Sequence, residues 1–135
     1  MNICDAIESI RPAGKVTCGS YHGSQIINRK NRIKNLGFRP IPDEFWVELN
    51  KSEATELLIH SLSCHIEDGE RILNEDDVKP IVSGFIQMFE KEDKFFTNVS
   101  SGFECISTSF LDVAVLVENE KGVVGFVCIE DDQSP

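Results

Sequence analysis

Apolar positions recur along the chain first in a helical rhythm and then in a strand rhythm. In "ICDAIESI", residues 3–10, Ile3, Ala6, Ile7 and Ile10 share one side of a helix, and Pro12 follows as a stop. "AGKVTCGSYHGS" holds Gly14, Gly19 and Gly23 and reads as a strand or loop. "SQIINRKNRIKNLG" returns to helical spacing: Ile26, Ile33 and Leu36 share a broad face, Ser24 is placed to cap the start, and Gly37 stands at the C′ position. Pro40 and Pro42 disfavour helix at the residue before each, so "RPIPDE" is extended and "FWVELN", residues 45–50, reads as a strand. The helical pattern is clearest over 52–67, with Ser52 as cap, Glu53 and Glu56 in the first turns and Gly69 beyond the end. Asp76 or Asp77 opens a further helix that runs to about Phe89. Val78, Ile81, Val82, Phe85 and Phe89 form its apolar face, and Pro80 falls in its first turn, where no intrahelical N–H is lost.

From residue 94 the rhythm changes. "KFFTNVS" and "FECISTSF" are β-like, and "LDVAVLVE" and "VVGFVCIE" flank "NEKG", whose Gly122 suits the positive φ of a short hairpin loop. Both hairpin arms are rich in Val, Ile and Phe, as strands covered on both faces are. The expectation is one α+β domain over residues 1–135, with helices mainly in the first two thirds packed on a C-terminal antiparallel sheet.

A chain of 135 residues with 41% hydrophobic and 27% charged residues is globular in composition and long enough to need no disulfide or metal staple. Its five cysteines, at 4, 18, 64, 105 and 128, form no CxxC. Asp5 and Glu8 interrupt the first residues where a signal peptide would be apolar, and no run of about 18 apolar residues spans a membrane. These features predict a cytoplasmic protein with reduced thiols and no membrane partner. For such a protein the "NVS" at Asn98 is not a glycosylation site.

The net charge of −10 is uneven: residues 1–51 carry eight Lys/Arg against five acids, and residues 52–135 carry five against eighteen. An acidic balance repels phosphate backbones and disfavours nucleic acid as a partner. The basic run Arg29, Lys30, Arg32, Lys34 and Arg39 offers contacts for RNA or a phosphate, but against this acidic background it reads rather as a solvated helix face that pairs with the protein's own acidic half.

Two segments raise the question of catalysis or metal. In "HSLSCHIEDGE", residues 60–70, His60 and His65 are five apart and diverge by about 140° on a helix, so they share no metal. His60 and Cys64 share a face, but two ligands do not make a structural site. In "CGSYHGS", Cys18 and His22 stand four apart in a Gly-rich loop, which suggests a thiol nucleophile with a base, although known cysteine hydrolases separate these residues widely. "GKVTCGS" lacks the spacing of a phosphate-binding loop. No cofactor is expected.

The acids cluster at expected element ends: Glu67, Asp68 and Glu70; Glu75, Asp76 and Asp77; Glu90, Glu92 and Asp93; Glu118 and Glu120; Glu130, Asp131 and Asp132. Gathered on one rim, they would form a negative face that steers a basic partner. With the acidic clusters at 67–77 and 118–132 beside the apolar hairpin 111–130, the chain resembles the small immunity proteins of bacterial toxin–immunity pairs, such as those of contact-dependent growth inhibition. The likeness is one of size, charge and layout over the whole chain. It implies a non-enzymatic, stoichiometric inhibitor of a basic protein toxin, such as a nuclease, whose partner-binding residues are Glu67, Asp68, Glu70, Asp76, Asp77, Glu118, Glu120, Glu130, Asp131 and Asp132. Phe45 or Trp46 would then supply aromatic anchors, and charge reversal at Asp131 and Asp132 would slow association. A small cysteine enzyme using Cys18 and His22, and an adaptor subunit, are the alternative classes.

Overall fold

The computed structural model describes residues 2–99, 105–107 and 111–131. In chain order the elements are α1 (Ile3–Ile10), β1 (Lys15–Ser20), α2 (Arg29–Asn35), β2 (Val47–Leu49), α3 (Lys51–Ser63), α4 (Glu75–Ile86), β3 (Lys94–Thr97), β4 (Asp112–Asn119) and β5 (Gly122–Glu130). The result is the expected α+β arrangement. The strands form one antiparallel sheet in the order β1-β5-β4-β3-β2, so the two most apolar arms occupy its centre.

Those arms are buried along nearly their whole length because both sheet faces are covered. Side chains alternate across a strand. Val115 and Val117 of β4 and Val127 and Ile129 of β5 pack with Ile7 of α1, Leu58 and Leu62 of α3, and Val82 and Phe85 of α4. Ala114, Leu116, Phe126 and Cys128 face the other way, onto Ile33 of α2, Ile41 and Trp46 of the arm that follows it, and Ile106. Leu58, Leu62, Phe85 and Phe126 are fully buried, and each transfer from water contributes about 1.5–3 kcal/mol. No helix among the described residues is long and apolar enough to cross a membrane.

The β4–β5 hairpin turns through Glu120 and Lys121, and Gly122 takes φ 140°, as the "NEKG" sequence suggests. Val117 pairs with Gly125 but Glu118 pairs with Val123, so β5 carries one extra residue at this point. Such a bulge locally bends the strand. Gly125 beside it leaves room for the Phe89 ring, which any Cβ there would strike.

Several helix boundaries differ from the sequence expectation. Asn50, not Ser52, caps α3: its side chain accepts from the Glu53 N–H at 2.8 Å, and the Glu53 carboxylate accepts from the Asn50 N–H at 2.9 Å. This reciprocal capping box satisfies two N–H groups that would otherwise be left without partners. Asn28, not Ser24, caps α2; Ser24 lies in a separate 3₁₀ turn, Gly23–Gln25, and Ile27 bridges to Val123 of β5. Gly37 does follow the helix end with φ 85°. The helix expected over 52–67 stops at Ser63, and Cys64 is already extended. Asn74 caps α4, which therefore begins at Glu75 and ends at Ile86 rather than near Phe89. Pro80 consequently sits in the second turn and not the first, where its ring does remove an intrahelical hydrogen bond. Of the β-like "FECISTSF", Cys105, Ile106 and Ser107 are described and belong to no strand. The remainder of that stretch lies outside the described residues.

Candidate functional site

Among the described residues, the acids predicted to bind a partner go to two opposite ends of the sheet. Asp112 pairs with Glu130 at one end of the β4–β5 ladder, and Glu118 lies six residues further along β4, about 20 Å away at strand rise. One continuous negative face, as expected from the sequence, is therefore not built.

At the first end, Glu67, Asp68, Glu70, Asp76 and Asp77 are all exposed. They ride on the loop between α3 and α4 and on the first turn of α4. The loop is closed by its own backbone: the His65 N–H donates to Glu70 O at 2.8 Å, Ile72 N–H to Ser63 O at 2.7 Å, and Cys64 bridges to Arg71. Residues 65–79 hold six acids against two bases. Among the described residues the two bases make only long surface pairs, Arg71 with Glu75 at 3.7 Å and Lys79 with Asp76 at 3.9 Å, and such pairs stabilise little. Glu130 is half-buried at the same end, in register with Lys15 of β1.

Asp131 is a correction. It is buried, not part of a surface. Its Oδ1 accepts from Arg11 Nη2 at 2.5 Å and its Oδ2 from the Ile66 N–H at 2.6 Å. Arg11 also donates to the carbonyls of Ala13 at 2.7 Å and Cys64 at 2.8 Å. Burial alone would raise the Asp131 pKa, but the Arg11 guanidinium, the Ile66 N–H and nearby His65 outweigh it and hold the carboxyl below its ordinary value. The pair joins the end of α1, the end of β5 and the acidic loop. Charge reversal at Asp131 would consequently test the fold rather than a docking surface. Asp132 lies outside the described residues.

At the other end, Glu118 meets the basic segment. Arg29 grips it with two bonds, Nε to Oε2 at 2.6 Å and Nη2 to Oε1 at 2.7 Å. The guanidinium also lies 4.8 Å from the Phe96 ring and 5.7 Å from the Trp46 ring. The bond to Glu118 raises the Arg29 pKa, against the opposing effect of its burial. Glu120, in the hairpin turn, is exposed. The rest of the basic run is divided. Arg32 is buried against the Tyr21 ring at 3.5 Å and donates to the Gln25 carbonyl, and Arg39 donates to the Cys105 carbonyl at 2.7 Å. Lys30 and Lys34 are exposed.

Arg29 stands where two clefts meet. One, of about 420 Å³, is lined by Arg29, Lys30, Ile33, Pro40, Ile41, Pro42, Asp43 and Trp46. The other, of about 490 Å³, runs from Asn28, Arg29 and Asp43 to the hairpin tip at Glu118, Glu120 and Lys121. Phe45 is partly buried and Trp46 is 6% exposed, so Trp46 is a core residue that floors the first cleft rather than a protruding anchor.

The Cys18 thiol is placed against nucleophilic use. Burial, helped by its hydrogen bond to Cys4 and by Glu8 and Asp5, raises its pKa far above the ordinary thiol value. A thiol so held stays protonated near neutral pH. His22 is exposed, and the Glu8 carboxylate accepts from the Cys18 backbone N–H at 2.9 Å.

In "HSLSCHIEDGE" the helix ends before Cys64, so the wheel geometry of His60 against His65 does not apply. His60 Nδ1 lies 3.9 Å from Cys64 Sγ, and His65 Nδ1 lies 3.7 Å from Asp131 Oδ1. No group of three or more His, Cys, Asp or Glu among the described residues is arranged to hold a metal ion.

Sequence reasoning passed over one further buried cluster. Asp112 is fully buried and accepts from Asn98 Nδ2 at 2.6 Å, the Ile106 and Ser107 N–H groups at 3.0 and 2.9 Å, and Ser107 Oγ at 2.6 Å. Asn98 is fully buried as well, and its Oδ1 accepts from the Ala114 N–H at 2.8 Å. This network pins residues 105–107 to the sheet, so the "NVS" asparagine is a structural group. Compared with family models, curated proteins and solved structures, the chain matches none of them.

Proposed function

We propose that the protein is a stoichiometric, non-enzymatic inhibitor of the immunity type that binds a basic protein toxin in the cytoplasm. The observation that carries this reading is the acidic end. Glu67, Asp68, Glu70, Asp76 and Asp77 are exposed on a loop that the buried Arg11–Asp131 pair holds at Cys64 and Ile66, and on the Asn74-capped helix start that follows. A surface ordered before binding loses little conformational freedom on association. Its charge steers a cationic partner and accelerates encounter. On a nuclease toxin, these carboxylates would take the place of substrate phosphates against the active-site Lys and Arg, while the same charge repels nucleic acid from the inhibitor itself. Glu130 extends this end. Glu118 is already neutralised by Arg29, so the hairpin end contributes mainly through Glu120. The protonated Cys18 thiol supports binding over thiol catalysis.

The test is stopped-flow association with the protein encoded by the neighbouring open reading frame, which this reading expects to be a basic toxin. Glu67→Lys, Glu70→Lys and Asp77→Lys together should slow association about tenfold or more at low salt, and the deficit should shrink as salt screens the charges. Unchanged rates at low salt contradict the acidic face, and failure to form any complex contradicts the immunity reading.

A further inference from the structure

We infer that the cleft between α2 and the 40–43 arm is a binding site for a small free carboxylate with an apolar body, independent of the acidic end. Its volume of about 420 Å³ lies within the roughly 300–1,000 Å³ typical of ligand pockets. The floor is apolar, built by Ile33, Ile41 and Trp46 between Pro40 and Pro42. Two cations line it, Arg29 and Lys30.

Arg29 cannot swing freely. Glu118 takes its Nε and Nη2, and Phe96 and Trp46 lie against the guanidinium. Its Nη1 is left facing Asp43 Oδ1 at 3.4 Å, and the Asp43 side chain is 89% exposed. That contact is long and loosely held, so Asp43 occupies the place of an incoming carboxylate and is easily displaced. Lys30 is exposed and has no ion-pair partner among the described residues. The Nη1 edge that Glu118 leaves open on Arg29, with Lys30 lining the same cleft and an apolar floor, matches a carboxylate head on an apolar tail. The adjoining cleft carries Glu120, exposed at the hairpin tip, which repels an anion. This confines the ligand to the one cleft, on the scale of a small molecule rather than a chain.

Trp46 is the chain's only tryptophan, so its indole N–H gives a single reporter in two-dimensional NMR. Hydrocinnamate should shift that signal saturably, and its amide and the corresponding amine should bind at least about fivefold more weakly. Lys30→Ala should weaken hydrocinnamate binding about fivefold, whereas Asp43→Asn should tighten it by a similar factor by removing the internal competitor. Both positions are exposed, so the fold tolerates these changes. A non-saturating shift, equal binding of the amide or amine, or weaker binding to Asp43→Asn overturns the assignment. An acetylated peptide ending in a free phenylalanine is the second arm. Binding more than about tenfold tighter than hydrocinnamate assigns the cleft to a chain terminus and overturns the small-molecule reading.

Discussion

Asp131 shows how one side chain serves three segments. It balances a guanidinium from α1 and holds the backbone of the loop after α3, and it does both from the end of β5. Removing the acid leaves Arg11 buried and unpaired, so Asp131→Ala should cost about 3–5 kcal/mol in urea unfolding. A double change, Arg11→Met with Asp131→Leu, should recover much of that loss because no charge is left without a partner. The pH dependence follows from the direction of the shift. A carboxyl whose pKa is lowered on folding contributes its stability above the unfolded value, about 3.9, and loses it as pH falls through the folded value. The stability gap between wild type and Asp131→Asn should therefore narrow below about pH 4, as followed by circular dichroism. At Cys18 the expectation is kinetic: a disulfide reagent at neutral pH should label it at least about tenfold more slowly than a free thiol. Rapid labelling would favour the cysteine-enzyme alternative. The Arg11–Asp131 pairing was not legible in the sequence. Arg11 and Asp131 are 120 positions apart, and no local pattern marks two residues that meet only after the sheet has formed.

Elements were legible in proportion to how far local chemistry decides them. The apolar arms read over 111–118 and 123–130 form the strands Asp112–Asn119 and Gly122–Glu130 with the glycine turn between them, because burial on both faces and a tight hairpin leave few alternatives. Helix starts were read less well. Around residues 50–53 both Asn50 and Ser52 can cap, and Glu53, three positions after Asn50, decides between them by bonding back. That spacing was present in the sequence as a capping-box signal. Asn50→Ala should lower stability by about 1 kcal/mol, while Ser52→Ala should leave the urea midpoint nearly unchanged. The start of α4 has a measurable consequence too. Pro80 lies beyond the first turn, so Pro80→Ala should restore a backbone bond and stabilise the protein by about 1–2 kcal/mol, net of the freedom that the unfolded chain regains. An unchanged or lower midpoint would place Pro80 back among the tolerated positions.

For the whole molecule, the division of charge matters more than its total. Acids crowd two ends about 20 Å apart, which exceeds the screening length of about 8 Å at physiological salt. Each end therefore repels itself more than it repels the other. Raising salt from about 10 to 150 mM should increase the thermal midpoint of this −10 chain, and Glu67→Lys with Glu70→Lys should reduce that increase. A midpoint indifferent to salt would mean that neighbouring cations already compensate these acids. The sequence named the acids but not their division, because separation along a strand is invisible until pairing sets which residues share an end.

The edge position of β1 sets an order of events during synthesis. Among the described residues β1 pairs only with β5, with Lys15 opposite Glu130 and Ser20 opposite Gly125. The first strand to leave the ribosome must stay unpaired until the last has emerged, whatever precedes or follows this stretch in the chain. Nascent chains halted before residue 122 should accordingly be cleaved by protease near residues 15–20, and those released after residue 131 should be protected there. A contact that spans almost the whole described chain also raises the loop-closure cost of refolding, so final consolidation should be slow compared with formation of the helices.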